Sequence, residues 1–217
     1  MTWVKICGVT TERDLAEVAR LGADAAGLVL APSRRRLAPE RARELAAAAP
    51  PGLELVAVVT ELTAELVDTL REAGIGTVQW HARGDPEPDE LALLAGFRVL
   101  RAVAVGAAAD LERPEPDWLW AWVLDSPPRE YAGGSGQSFD WSLAHRAAGA
   151  WRRPVILAGG LHPGNVEQAL AQVRPWGVDV STGVESEPGR KDPAQVAAFI
   201  QAVRRAERQE KGYEHES

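Results

Sequence analysis

The sequence predicts an α/β fold, a single-domain (β/α)8 (TIM) barrel, on three observations. Short apolar runs alternate with amphipathic segments from end to end, the pattern of parallel strands joined by crossover helices. Eight such runs are present, enough to close a sheet on itself. The length, 217 residues with 46% hydrophobic, suits one domain built around one sizeable core.

The runs fall at 3–7, 25–30, 54–59, 76–81, 97–105, 117–125, 154–158 and 177–181. They are rich in Val, Leu, Ile and Trp and poor in charge, as strands must be when helices cover them outside and side chains pack inside. Helix starts are marked by Thr11 with Asp14 three residues on, by Pro39, by Asp140 before an Ala-rich run, and by Asp192-Pro193. Gly22 and Gly74 suit left-handed helix ends that feed the next strand. The fifth unit is the weakest, because Gly106 to Pro116 leaves room for only a short helix.

Alternation along the sixth run adds detail. If Asp125 points inward, so do Val123, Ala121 and Leu119, while Trp118, Trp120 and Trp122 lie beneath the helices as core. The barrel is expected over residues 1–206. Residues 207–217 are polar and read as a disordered tail without a function.

A formal charge of −7 disfavours nucleic acid or an anionic membrane as partner, since both are bound by surplus Lys and Arg. With Cys7 the sole cysteine, one chain can form neither a disulfide nor a Cys-based zinc cluster, which fits a reducing cytosol. No apolar run approaches the roughly 20 residues that span a bilayer, and the first residues lack a secretory h-region. A cytoplasmic protein is expected, with no metal and no organic cofactor.

In a barrel the reactive groups sit where strands end, at the C-terminal face. Those positions hold Cys7, Gln79 and His81, Asp125, Gly159-Gly160 and Ser181-Thr182-Gly183. The glycines at the ends of strands seven and eight let backbone amides approach an anion, and Ser181 and Thr182 add hydroxyls; a phosphate site follows. A lone cysteine is commonly a small buried hydrophobe, but at a strand end before Gly8 it reads as a nucleophile or a general base. Asp125 closes a strongly apolar strand, so burial is expected to favour its protonated form and suit it to act as an acid. A lone His81 reads as a structural or substrate-contact residue rather than a metal ligand. The Gly-rich stretch from Tyr131 to Trp141 is placed to cover a substrate.

Taken in order, these segments resemble the phosphoribosylanthranilate isomerase family of tryptophan biosynthesis. The resemblance runs from Lys5-Ile6-Cys7-Gly8 through Ser33-Arg34-Arg35-Arg36-Leu37, Val78-Gln79-Trp80-His81, Leu124-Asp125, Gly133-Gly134-Ser135-Gly136 and Phe139-Asp140-Trp141. It continues through Ala158-Gly159-Gly160-Leu161, Asp179-Val180-Ser181-Thr182-Gly183-Val184-Glu185 and Gly189-Arg190-Lys191-Asp192. The resemblance implies a small phosphoribosyl substrate, N-(5-phosphoribosyl)anthranilate, converted by an Amadori rearrangement in a monomer or homodimer. It implies Asp125 as the acid that opens the ribose ring, Cys7 as the base that takes the C2 proton, and Arg35 as the grip on the anthranilate carboxylate. Gln79, His81, Gly134, Ser135 and Asp179 become candidate substrate contacts.

The chain departs from the family pattern in places. Arg34 stands where Pro is frequent and Arg36 where an aromatic is frequent, which leaves open a one-position shift of the binding arginine. Ser135, Thr182 and Trp80 replace Thr, Ser and Leu, and Val59-Thr60 replaces the usual Phe-Val-Asn after strand three. Two alternatives stand beside this reading: another phosphosugar aldose-ketose isomerase barrel, whose relatives use two aspartates, and a non-catalytic phosphosugar-binding barrel.

Overall fold

A computed structural model describes residues 1–125 and 140–215, with side chains through residue 209. Eight parallel strands follow one another around a closed barrel. They are β1 (Trp3–Cys7), β2 (Ala25–Val29), β3 (Glu54–Val59), β4 (Thr77–Trp80), β5 (Arg98–Ala104), β6 (Leu119–Asp125), β7 (Val155–Leu157) and β8 (Gly177–Val180). Each falls inside the apolar run expected for it, and β8 pairs back onto β1 to close the ring.

Around the strands run α1 (Glu12–Arg20), α2 (Pro39–Ala47), α3 (Ala64–Glu72), α4 (Pro88–Leu94), α5 (Trp141–Ala150), α6 (Val166–Val173) and α7 (Pro193–His215). Their ends obey the local chemistry. Thr11 accepts the Asp14 amide at 3.1 Å, Asp140 accepts the Ser142 amide at 2.9 Å, and Pro39 and Pro193 each open a helix. Gly22 and Gly74 take φ of 94° and 71° beyond α1 and α3, as their positions required. The fifth unit contracts to a 3-10 turn over Ala108–Leu111.

Side chains divide into two layers. Val4, Ile6, Leu28, Val78, Trp122 and Leu124 face outward into the main core beneath the helices. Ala25, Val56, Leu100, Ala121, Val123 and Ile156 fill the barrel interior, with Trp3 and Trp120 packed against them. Trp176 contacts both rings, with centroids 5.4 Å from Trp3 and 5.1 Å from Trp120. The Arg98 guanidinium lies over Trp120 at 4.8 Å. These rings belong to the starts of strands, so together they plug the N-terminal mouth.

Two expectations are corrected here. The register shifts between Val99 and Leu100, which pair with Leu119 and Ala121, so Trp120 has no partner and β6 bulges. The bulge reverses the alternation below Ala121: Leu119 faces the outer core, and Trp120 faces the interior rather than the helices. The second concerns the polar tail, where α7 continues as helix to His215. Its Arg, Gln, Glu and Lys residues are strong helix formers. Glu207 also ties it down, accepting the Thr2 amide and the Arg204 guanidinium, the latter at 3.0 Å.

Trp122 is 2% exposed and stacks 4.8 Å from the Trp151 ring. Trp122→Ala therefore removes one of the two fully buried tryptophan rings of the outer layer, and urea unfolding should show a loss of about 3–5 kcal/mol.

Candidate active site

The inward-facing end of β1 starts the site. Alternation puts Lys5 and Cys7 on one side of the strand, and their register partners are Asp179 and Gly27. A Cβ on Gly27 would lie 2.7 Å from the Cys7 sulfur, so this neighbour must be glycine for the thiol to keep its place. Val29, Ala31 and Val58 form an apolar wall beside Cys7. Below it the Lys5 ammonium donates to Asp179 Oδ2 at 2.6 Å, with both side chains almost fully buried.

Burial pushes the Cys7 thiol above the ordinary cysteine range, with Asp179 adding to the rise, while Lys5 and Lys191 pull it back. Burial alone would lower Lys5, but Asp179 and Cys7 outweigh it and hold its ammonium charged.

Arg35, from the segment between β2 and α2, reaches across to the hairpin that follows β8, formed by β9 (Glu185–Glu187) and β10 (Arg190–Lys191). It grips Glu185 through two parallel bonds, Nε to Oε1 at 2.7 Å and Nη2 to Oε2 at 2.6 Å. Lys191 donates to the same carboxylate at 2.8 Å and to the Ser181 carbonyl at 3.2 Å. Burial raises Glu185, yet the bonds from Arg35 and Lys191 prevail and hold it below the usual carboxylate range. Of the three consecutive arginines, Arg35 is the one the hairpin holds at this rim.

The ends of β7 and β8 lie side by side. Gly159 and Gly160 take φ of 77° and 67°, a left-handed pair that only glycine adopts without strain. Asn165 braces this turn: its side chain donates to the Gly160 carbonyl at 3.0 Å and accepts the His162 amide at 2.8 Å. Gly183 sits in a 3-10 turn, Thr182–Val184, so close that a Cβ would run into the Leu161 carbonyl. The Thr182 hydroxyl is engaged by Arg35 Nη2 at 3.1 Å.

Gln79 is buried on β4, 3.4 Å from His81 Nδ1 through its amide nitrogen, and its Oε1 is left without a partner, as is Oδ1 of Asp179. Asp125 ends β6, its backbone paired with Ala104 and Val105 of the neighbouring strand. Gly134 and Ser135 lie outside the described residues. Among the described residues no group of three or more His, Cys, Asp or Glu side chains could hold a metal ion. No described helix is long and apolar enough to cross a membrane.

Sequence reasoning missed Lys5, Glu185 and Lys191 as members of this cluster, although their segments were singled out. Lys5 carried a readable signal: it is the one charge in an apolar strand, two residues before Cys7 on the same face. Glu185 carried none, because its significance lies in a partner 150 positions away, and that of Lys191 follows from its bond to Glu185.

The family model for N-(5'-phosphoribosyl)anthranilate isomerase matches residues 4–202. The chain is 44% identical over 211 residues to the N-(5'-phosphoribosyl)anthranilate isomerase of Desulforudis audaxviator, covering 95% of this chain and all of that one. The crystal structure of phosphoribosyl anthranilate isomerase from Thermotoga maritima superposes with a TM-score of 0.80 at 37% identity, over 94% of this chain and 99% of that one. A phosphoribosyl anthranilate isomerase in complex with reduced 1-(o-carboxyphenylamino)-1-deoxyribulose 5-phosphate gives 0.79 at 35% identity, over 94% and 99%.

Because its bonds to Arg35 and Lys191 depress Glu185, the stabilisation it supplies is complete above the unfolded value of about 4.3 and is lost as pH falls through the folded value. Glu185→Gln should destabilise the protein at pH 7 by about 3 kcal/mol, the cost of breaking a buried ion pair. Thermal unfolding of the two proteins should converge as the pH falls below 4.3; a gap that persists in acid would assign the effect to packing.

Proposed function

The chain belongs to the N-(5'-phosphoribosyl)anthranilate isomerase family, and on that premise we propose that it rearranges its aminoaldose substrate to the ketose through Cys7 and Asp125. It is an isomerase of tryptophan biosynthesis acting on a phosphoribosyl compound. The observation that carries the mechanism is that β1 and β6 of one closed barrel end on a thiol and a carboxylate. β1 ends on Cys7 and not on a second carboxylate, which separates the chain from barrels that work with two aspartates.

In the first step Asp125 gives its proton to the ribose ring oxygen as the C1–O bond breaks. The lone pair of the anthranilate nitrogen forms the C=N bond of a Schiff base. The Cys7 thiolate then takes the C2 proton, and the electrons of that C–H bond become the double bond of an enolamine. Loss of the hydroxyl proton and gain of one at C1 give the ketone. The nitrogen supplies the electron push for ring opening and, as the Schiff base, takes the C=N electron pair back when C2 loses its proton, so proton transfers suffice.

Binding follows from the rim. Arg35, oriented by the bonds of its Nε and Nη2 to Glu185, offers its remaining Nη1 and its fixed charge to the anthranilate carboxylate. Gly159, Gly160, Ser181, Thr182 and Gly183 cradle the phosphate, with Gly183 free of a side chain that would block the turn. Gln79, His81 and Asp179 line the floor, and the two unpartnered oxygens of Gln79 and Asp179 suit ribose hydroxyls. A charged metabolite and a lone free thiol suit a cytoplasmic setting.

The reading is tested by adding purified protein to N-(5-phosphoribosyl)anthranilate and following its fluorescence, which should fall; a folded sample that leaves it unchanged sinks the assignment. Cys7→Ser should lower turnover by at least about 100-fold with little change in KM, since a hydroxyl is a far weaker base. Asp125→Asn should block ring opening while sparing the fold, and a substrate analogue locked open should be processed better than the closed form. Inorganic phosphate should compete with substrate, and Gly160→Asp or Gly183→Asp should weaken that competition by straining the turn and setting negative charge against the anion.

A further inference from the structure

Lys5 is a buried cation that none of the steps above employs. Its side chain is 1% exposed, it faces the barrel interior, and its carboxylate partner leaves one oxygen unpaired. An aliphatic pair of the same volume would spare the molecule the cost of desolvating two charges, so packing alone does not account for Lys5 and Asp179. The geometry offers another account. Lys5 stands two residues before Cys7 on the same face of β1, pinned from below by Asp179, where its charge acts on the sulfur.

We propose that Lys5 is a positioning residue of the reaction: it touches no substrate and acts through Cys7, its fixed ammonium stabilising the thiolate that removes the C2 proton. The inference rests on the reading of Cys7 as the base. Other groups also bear on the sulfur. Asp179 on β8 opposes ionisation, Lys191 on β10 favours it, and Arg35 beyond β2 interacts with the thiolate as well. Lys5 has the strongest hold among them and is the one set on the same strand face. Lys191 is already committed to Glu185 and to the Ser181 carbonyl.

The test uses a convenience of this sequence: Cys7 is the sole cysteine, so thiol alkylation reports on it alone. The rate of reaction with iodoacetamide, measured against pH without substrate, gives the thiol titration in the intact protein. Lys5→Met should move that titration to higher pH by about one unit or more, slowing alkylation near neutrality about tenfold. Asp179→Asn should move it the opposite way. Opposite shifts from the two halves of one ion pair are the mark of a charge effect, since loosened packing would displace both in the same direction. Turnover of Lys5→Met should fall at least about tenfold with KM within about twofold.

Should Lys5→Met fail to fold because Asp179 is left bare, the Lys5→Met/Asp179→Asn pair removes both charges, and its thiol should still titrate above that of the unaltered protein. A titration that does not move in a folded Lys5 variant overturns the inference, whatever happens to turnover. A displaced titration with unchanged turnover supports the hold of Lys5 on the thiol and overturns Cys7 as the base.

Discussion

Two full charges lie inside the barrel at Lys5 and Asp179, and a medium of low polarity tolerates them because they face each other at 2.6 Å across paired strands. That requirement fixes more than one contact. β1 and β8 are the strands that close the ring, so the register of closure is the register that brings ammonium and carboxylate together. A slip of one residue would turn Lys5 into the outer core, where no acid awaits it. The pairing of β1 with its other neighbour, β2, sets Cys7 opposite Gly27, which leaves room for sulfur. The ion pair and the site above it thus depend on both registers of β1.

The strands and their helix caps were legible in the sequence because both depend on near neighbours. Alternation, a threonine three residues before an acid, or a proline at a first turn is visible within a few positions. The ends of the strands were legible for the same reason, and they held Cys7, Asp125 and the paired glycines. The bulge at Trp120 was not, because an unpaired residue in one strand depends on the strand beside it, and nothing in Leu119-Trp120-Ala121 announces the slip. The clamp on Arg35 was hidden likewise: Glu185 reads as an ordinary hairpin acid until the chain brings it back to β2. The helical tail was misread because polarity was taken for disorder, when Arg, Gln and Glu residues also make good helix.

Global and local charge tell different stories in this molecule. A net charge of −7 describes a surface with no appetite for polyanions, yet Lys5, Arg35 and Lys191 converge around a single sulfur at one end of the barrel. Each is held by a carboxylate, Asp179 or Glu185, so the cations are placed without dominating the surface. A small anionic substrate meets cations already oriented by carboxylates, in a chain whose net charge is negative.

The tryptophans at the opposite end have a consequence for traffic. Trp3, Trp120 and Trp176 seal the N-terminal mouth, and side chains fill the interior above them, so the barrel is a well with one opening and not a tunnel. Whatever enters at the C-terminal end must leave there. The ketose cannot drain away below while the next aminoaldose arrives above; each product molecule occupies the doorway its successor needs. In such a vessel substrate and product share one opening, the end of the barrel where the strands finish.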